Sequence, residues 1–231
     1  MKSPKVTKAT ERAHGKWYDD ACGTAFAMEL VGERWSMLII RELLLGGRRF
    51  SDLRTSLPGI SAKILTERLA SMEQAGVLNR RRLPSPGAVQ IYELTEWGLQ
   101  AEPAIQELGR WAALSHRHDP TLPLSPVSLM ISLRTMFDRA KAAGITARIG
   151  FEIGGETFVA ELKDGVLTNR RDQITGMEAV LRVPAAPVLA ALIYGNVPPA
   201  ALEQDAGLVI EGDRVLALRF TDIFELPEKI G

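Results

Sequence analysis

The stretch that decides the fold is LPGISAKILTERLASMEQAGVLNRR, Leu57 to Arg81. Pro58-Gly59 is a turn signal, Ser61 has the side chain of a helix N-cap, and Gly76 stands where a helix should stop. Together they predict a helix from Ser61 to about Ala75. At about 100° per residue, Leu65, Leu69, Met72 and Gly76 share one face. Lys63, Thr66, Glu67, Ala70, Ser71 and Gln74 share the other. One side suits a protein core. The other is small and hydrogen-bonding, and is either simply solvated or presented to something negatively charged.

The flanks narrow the choice. Upstream, CGTAFAMELV predicts a helix with Cys22, Ala25, Phe26 and Leu30 near helical spacing, interrupted at Gly32. The polar residues before Cys22 read as a short helix or a loose arm. Trp35 to Leu45 is apolar almost all round, as a helix buried on several sides should be, and Gly46-Gly47 stops it. Phe50 to Leu57 predicts a short helix capped at Ser51. Downstream, VLNRRRL and VQIYELT alternate as two strands around PSPGA, giving a hairpin with a basic first strand. A last helix, about Glu96 to Ser115, presents Leu99, Pro103, Ile105, Leu108, Trp111 and Ala112. Helix, short helix, turn, amphipathic helix and basic hairpin make a winged helix-turn-helix.

That arrangement suits duplex DNA. The major groove, about 12 Å wide, admits one helix whose exposed residues are small or hydrogen-bonding. Lys63, Thr66, Ala70 and Ser71 fit that description, Ala62 and Glu67 are further candidates for DNA contact, and the helix start at Ser61 offers N–H groups to a phosphate. Arg80, Arg81 and Arg82 on the hairpin, with Arg48, Arg49 and Arg54 on the other side, would add phosphate contacts. For each of these residues a structural role stays open: a solvated Lys63, a protected sheet edge at Arg80–Arg82, a carboxylate partner for Arg68.

Charge agrees with a local electrostatic task. The 231 residues hold 28 Lys/Arg and 28 Asp/Glu, but residues 1–118 carry 17 and 13 of them. The remainder carries 11 and 15, and Arg41–Arg82 alone has nine basic and four acidic side chains. A solvated face of a basic domain would look the same, so charge alone does not separate the readings.

Other functions find little support. One cysteine, Cys22, excludes an internal disulfide and a multi-cysteine zinc site. The histidines are His14, His116 and His118, and His116-Arg117-His118 lacks the spacing that puts two ligands on one helix face. No Gly-rich phosphate loop, nucleophile elbow or zinc motif is present. No catalysis, cofactor or metal is expected. No run approaches the roughly 18–20 apolar residues of a membrane span, and the polar N-terminus has no apolar middle for secretion. A cytoplasmic protein without a membrane partner is expected.

The segment from Cys22 to about Ala112 resembles the HxlR-type winged-helix family of bacterial transcriptional regulators. The resemblance rests on Cys22, Gly32-x-x-Trp35, Arg41-Glu42-Leu43, Arg49-Phe50-Ser51-Asp52-Leu53 and Pro58-Gly59-Ile60-Ser61. Leu65-Thr66-x-Arg68-Leu69, Gly76-Val77-Leu78 and Tyr92-x-Leu94-Thr95 follow in order. It implies that the helix from Ser61 enters the major groove. It also implies a homodimer on a two-fold double-stranded DNA operator, built from the helix near Cys22 and the one after Thr95. Cys22, Phe26, Leu99, Leu108 and Trp111 would lie in that contact. Some members of the family sense oxidants or electrophiles through a cysteine at this position, so Cys22 is also a possible redox residue. Its other reading is a small, partly buried hydrophobe at a dimer contact.

After the winged helix, DPTLPLSPV (residues 119–127), with three prolines, is expected to be a linker between domains at 1–118 and 128–231. Leu129 to Ala143 predicts a helix, TARIGFEI, ETFVAEL, GVLTNRR and AVLRVP four strands, and APVLAALIYG and VPPAALEQ two short helices. GLVIEGDRVLALRF predicts a further strand and a turn at Gly212-Asp213. Gly154-Gly155-Glu156-Thr157-Phe158, Pro187 to Tyr194 and Gly207 to Asp213 resemble an SCP2-like (sterol-carrier-like) domain. The whole chain is then α+β: a winged helix followed by an α+β sandwich. The second resemblance implies an apolar tunnel lined by Phe151, Phe158, Leu162, Leu189, Leu192, Ile193 and Tyr194, the alternative being that these residues fill a core. The expected function is a dimeric DNA-binding regulator controlled by a small apolar or lipid-like effector. The alternatives are a lipid-binding or carrier protein that dimerises through its N-terminal domain, and a Cys22-based redox-responsive repressor.

Overall fold

The structure, a computed structural model, describes residues 18–83 and 89–230. The polar stretch 1–17 and the expected hairpin tip PSPGA lie outside the described residues. The N-terminal half begins with α1 (Gly23–Val31), α2 (Ser36–Leu43), α3 (Phe50–Ser56) and α4 (Ala62–Gln74). Strands β1 (Leu78–Arg82) and β2 (Gln90–Leu94) pair antiparallel, with Arg80 opposite Tyr92. α5 (Glu96–Leu99) and α6 (Glu102–Ala113) follow.

Three local expectations shift. The helix expected from Glu96 to Ser115 is two pieces, because Pro103 lacks an N–H and is tolerated only in a first helical turn, where α6 begins. α3 starts at Phe50 with Arg49 at its N-cap rather than Ser51; Asp52 Oδ2 accepts from Arg49 N at 3.3 Å. Trp35, expected inside the central helix, instead caps it in the left-handed region at φ 81°.

In the C-terminal half, α7 (Pro126–Thr135) precedes β3 (Ala147–Ile153), β4 (Glu156–Lys163), β5 (Val166–Arg171) and β6 (Ala179–Val183). α8 (Ala186–Tyr194), α9 (Pro199–Asp205), β7 (Val209–Gly212) and α10 (Arg214–Thr221) complete it. The five strands form one mixed sheet, β5-β4-β3-β6-β7, in which only β3 and β6 run parallel. One face carries Ile149, Phe151, Phe158, Ala160 and Leu162, all buried. The other carries ion pairs: Arg148 and Arg170 with Glu161, and Arg182 with Glu152 and Glu211. This is the two-sided pattern of a sheet packed on one face and wet on the other.

The expected linker is shorter than nine residues. Ser125 caps α7 by accepting from Ser128 N at 2.9 Å, and Pro126 fills its first turn. The same helix ends eight residues early: Met136 O accepts from Glu225 N at 3.1 Å, drawing the chain against the C-terminal segment. Asp213 caps α10 through Leu216 N at 2.9 Å, so RVLALRF after the Gly212-Asp213 turn is helical.

α7 packs against α2 and α6 on one side and against β5 and α8 on the other. The buried apolar residues therefore form one cluster from Ile39, Leu65 and Met72 through Leu129 and Met130 to Phe151 and Phe220. The two halves share a core.

Candidate nucleic-acid interface

α4 divides as its periodicity requires. Leu65, Leu69 and Met72 are buried, whereas Ala62, Lys63, Thr66, Glu67, Ala70 and Gln74 are exposed. Ser61 Oγ accepts from Ile64 N at 3.2 Å, satisfying one of the free N–H groups at the helix start. Thr66 Oγ1 donates back to Ala62 O at 2.9 Å, and the residue is exposed. Lys63 and Glu67 stand 4.0 Å apart, both exposed.

The arginines separate into satisfied and available ones. Arg81 forks onto Glu93 at 2.8 and 2.9 Å, and Arg80 reaches Glu73 at 2.6 Å. These hydrogen bonds hold both guanidinium groups above their ordinary pKa. Among the described residues Arg82, Arg49 and Arg54 have no ion-pair partner and are exposed. Arg68 is taken by Glu33 at 3.1 Å, the carboxylate partner left open by the sequence.

Arg48 is a correction. Expected on the outer surface, it is 7% exposed, and its guanidinium binds Glu156 at 2.5 and 3.2 Å and Ser56 Oγ at 2.9 Å. Burial with a carboxylate from the other half takes it off the outer surface on which a phosphate contact was expected. Arg171 holds the same Glu156 at 2.5 Å. The pairing spans 108 residues of chain, so no local pattern signals it.

Exposed apolar side chains also stand on α1, α5 and α6. None of the residues of α1 is buried in the single chain. Phe26, Leu99 and Leu108 are exposed, and Trp111 is 70% exposed. Trp97, which sequence reasoning passed over, is half exposed on α5. Cys22 stands at the N-cap of α1 and is exposed in the single chain. The backbone N–H of Thr24, then its hydroxyl and the N–H of Ala25, hold the Cys22 thiol below the ordinary thiol range. This is the expected effect of free helix N–H groups on a thiolate.

The residues expected to line a tunnel fill the C-terminal core instead. Phe151, Phe158, Leu162 and Leu189 are fully buried, and Leu192 and Ile193 nearly so. Phe151 packs on Phe220 with ring centroids 6.2 Å apart. Tyr194 donates to or accepts from Ser132 Oγ at 2.6 Å, and burial pushes its phenol up. None of them lines the cleft of about 910 Å³ that lies between the halves. Among the described residues no group of three or more His, Cys, Asp or Glu is placed to hold a metal, and no helix is long and apolar enough to cross a membrane.

The family model for the HxlR-like helix-turn-helix matches residues 30–119. The HTH-type transcriptional regulator YodB of Bacillus subtilis is 41% identical over 86 residues, covering 37% of this chain and 77% of YodB. YtfH of Escherichia coli, described as an HTH-type transcriptional regulator, is 32% identical over 111 residues, covering 48% of this chain and 88% of YtfH. The reduced form of YodB superposes on 43% of this chain and all of its own, at 36% identity and a TM-score of 0.39. Each of these matches spans less than half of the chain.

Proposed function

As a member of the HxlR-like helix-turn-helix family, the chain is a transcriptional regulator rather than an enzyme, and we propose that it binds a two-fold operator as a homodimer with α4 in the major groove. The observation that carries this is the division of α4. Its apolar residues are locked into the core, and Ala62, Lys63, Thr66, Glu67 and Ala70 stand exposed on a short, capped helix. Arg82 on the wing, Arg49 at the α3 cap and Arg54 on α3, without an ion-pair partner among the described residues, supply cations for phosphates. Ser61, Arg80 and Arg81 belong to the same interface, the two arginines in part neutralised by their carboxylates. Cys22, Phe26, Leu99, Leu108 and Trp111 form the dimer contact, whose exposed aromatic area a partner copy would cover. A DNA operator as partner is the support for a cytoplasmic location.

We assign residues 1–118 to DNA binding and dimerisation and residues 128–231 to an SCP2-like α+β sandwich. Sheet order and the covering by α7, α8 and α10 support the latter. A packed interior argues against the carrier alternative and against an effector held inside the sheet. Effector control stays in the proposal, at a different place in the fold.

Changing Lys63 and Thr66 together to Ala tests the assignment of α4. Affinity for the operator should fall about tenfold or more, since a good base contact contributes ~1–3 kcal/mol, while the circular dichroism spectrum is kept. Unchanged operator affinity in a folded variant would remove α4 from the groove.

A second reading has an observation of its own. The exposed, lowered-pKa Cys22 favours a redox-responsive repressor acting through an adduct or an intersubunit disulfide. Operator release by an electrophile should then vanish in Cys22→Ser, and release persisting in that variant would rule the reading out.

A further inference from the structure

Between the two halves, α2, α3 and the residues leading into α7 face the β3–β4 turn and Pro184–Ala186 across a cleft of about 910 Å³. Small-molecule sites run roughly 300–1,000 Å³ and combine apolar walls with a few polar groups. Trp35, Leu38, Leu57 and Pro58 supply an apolar wall, and Arg41, Arg48 and Arg171 reach the same space. Glu156 is shared between Arg48 and Arg171, 2.5 Å from each. One carboxylate therefore faces two guanidinium groups. Arg48 Nε is buried without a hydrogen-bond partner among the described residues. Glu42 Oε1 accepts from Arg41 at 2.9 Å and from Ser125 at 2.7 Å, while its Oε2 is buried without a hydrogen-bond partner among the described residues. Buried donors without acceptors are costly, and a guanidinium fork is matched best by a carboxylate.

We propose that this cleft binds an amphipathic organic carboxylate, with its acid group at the Arg48–Arg171 pair and its apolar body against Trp35, Leu57 and Pro58. The location gives the ligand a route to α4. Leu57 and Pro58 are the turn that leads through Gly59 to the α4 cap. The Trp35 ring packs on that turn, 3.7 Å from where a Cβ on Gly59 would stand. Trp35 is itself held in the left-handed region, an uncommon setting for a bulky residue. An occupant pressed on this wall biases the placement of α4 relative to the C-terminal half. That regulatory step rests on the DNA-binding reading above; the binding step does not.

Titration calorimetry of the full chain without DNA, with 2-naphthoate and its neutral counterpart 2-naphthalenemethanol, tests the site. One saturable site per chain is expected for the acid, at least tenfold tighter than for the alcohol. Arg171→Gln should weaken the acid at least tenfold. If that variant does not fold, Leu38→Asp, at an exposed wall position, should do the same by adding a negative charge. Equal affinity for acid and alcohol, no saturation at millimolar acid, or undiminished binding in a folded variant would each overturn the proposal. Binding of 2-naphthoate should also change operator affinity at least threefold in the natural chain. An intact titration in a protein that does not bind DNA breaks the regulator reading and leaves the site standing; a failed titration in a protein that binds its operator does the reverse.

Discussion

Phe158 and Trp111 are both large aromatic residues in regular elements, and the chain treats them in opposite ways. Phe158 lies on the inner face of β4 with no exposed surface, with the Arg171 guanidinium 5.3 Å from its ring centroid. Trp111 stands on α6 with 70% of its surface exposed. A buried aromatic says that the chain satisfies itself there. An exposed one, in a chain that also leaves Leu99 and Leu108 exposed, points to something outside the single chain.

The largest effect should come from the satisfied member. Phe158→Ala removes a fully buried ring, and such truncations cost roughly 3–5 kcal/mol through reduced burial and the cavity left behind. Urea unfolding should show the midpoint falling steeply. A destabilisation below about 1 kcal/mol would mean that the site collapses or is already hollow, which would revive the tunnel expected from the sequence. Trp111→Ala should do the reverse. Stability of the monomer should hardly move, while dimerisation weakens by about 2 kcal/mol or more, as for an aromatic anchor at an interface. Sedimentation at several concentrations reads that shift; an unchanged dimer would break the comparison by making Trp111 an idle surface residue.

The same distinction explains what was legible in the sequence. The α4 periodicity placed Leu65, Leu69 and Met72 correctly because a 3.6-residue repeat reports which side is buried. Strands β3 to β6 were legible for the same reason, through alternation and the glycines between them. What failed depended on residues far apart. Arg48 reads locally as a surface cation, and only Glu156, on the first residue of β4, makes it internal. The seven residues expected to line a tunnel were apolar, and apolar composition is the same for a lining and a filling. The shared core across α7 was hidden by the prolines of 119–127, which look like a linker and in fact include the first turn of a packed helix.

The smallest expected effect carries the comparison over to charge. Arg81 is answered by Glu93 within the wing, whereas Arg82 is unpaired among the described residues. A closed pair brings no net charge to a phosphate, so it should release few counterions when DNA binds. Removing both members at once, Arg81→Ala with Glu93→Ala, should leave the dependence of operator affinity on salt unchanged. Arg82→Ala should lower the slope of log affinity against log salt by about 0.9 for each phosphate that the side chain neutralises. The charge-neutral double variant is the sharper of the two. If its slope also falls, Glu93 lets go of Arg81 when the operator arrives, and the pair guards the free wing rather than neutralising the bound one.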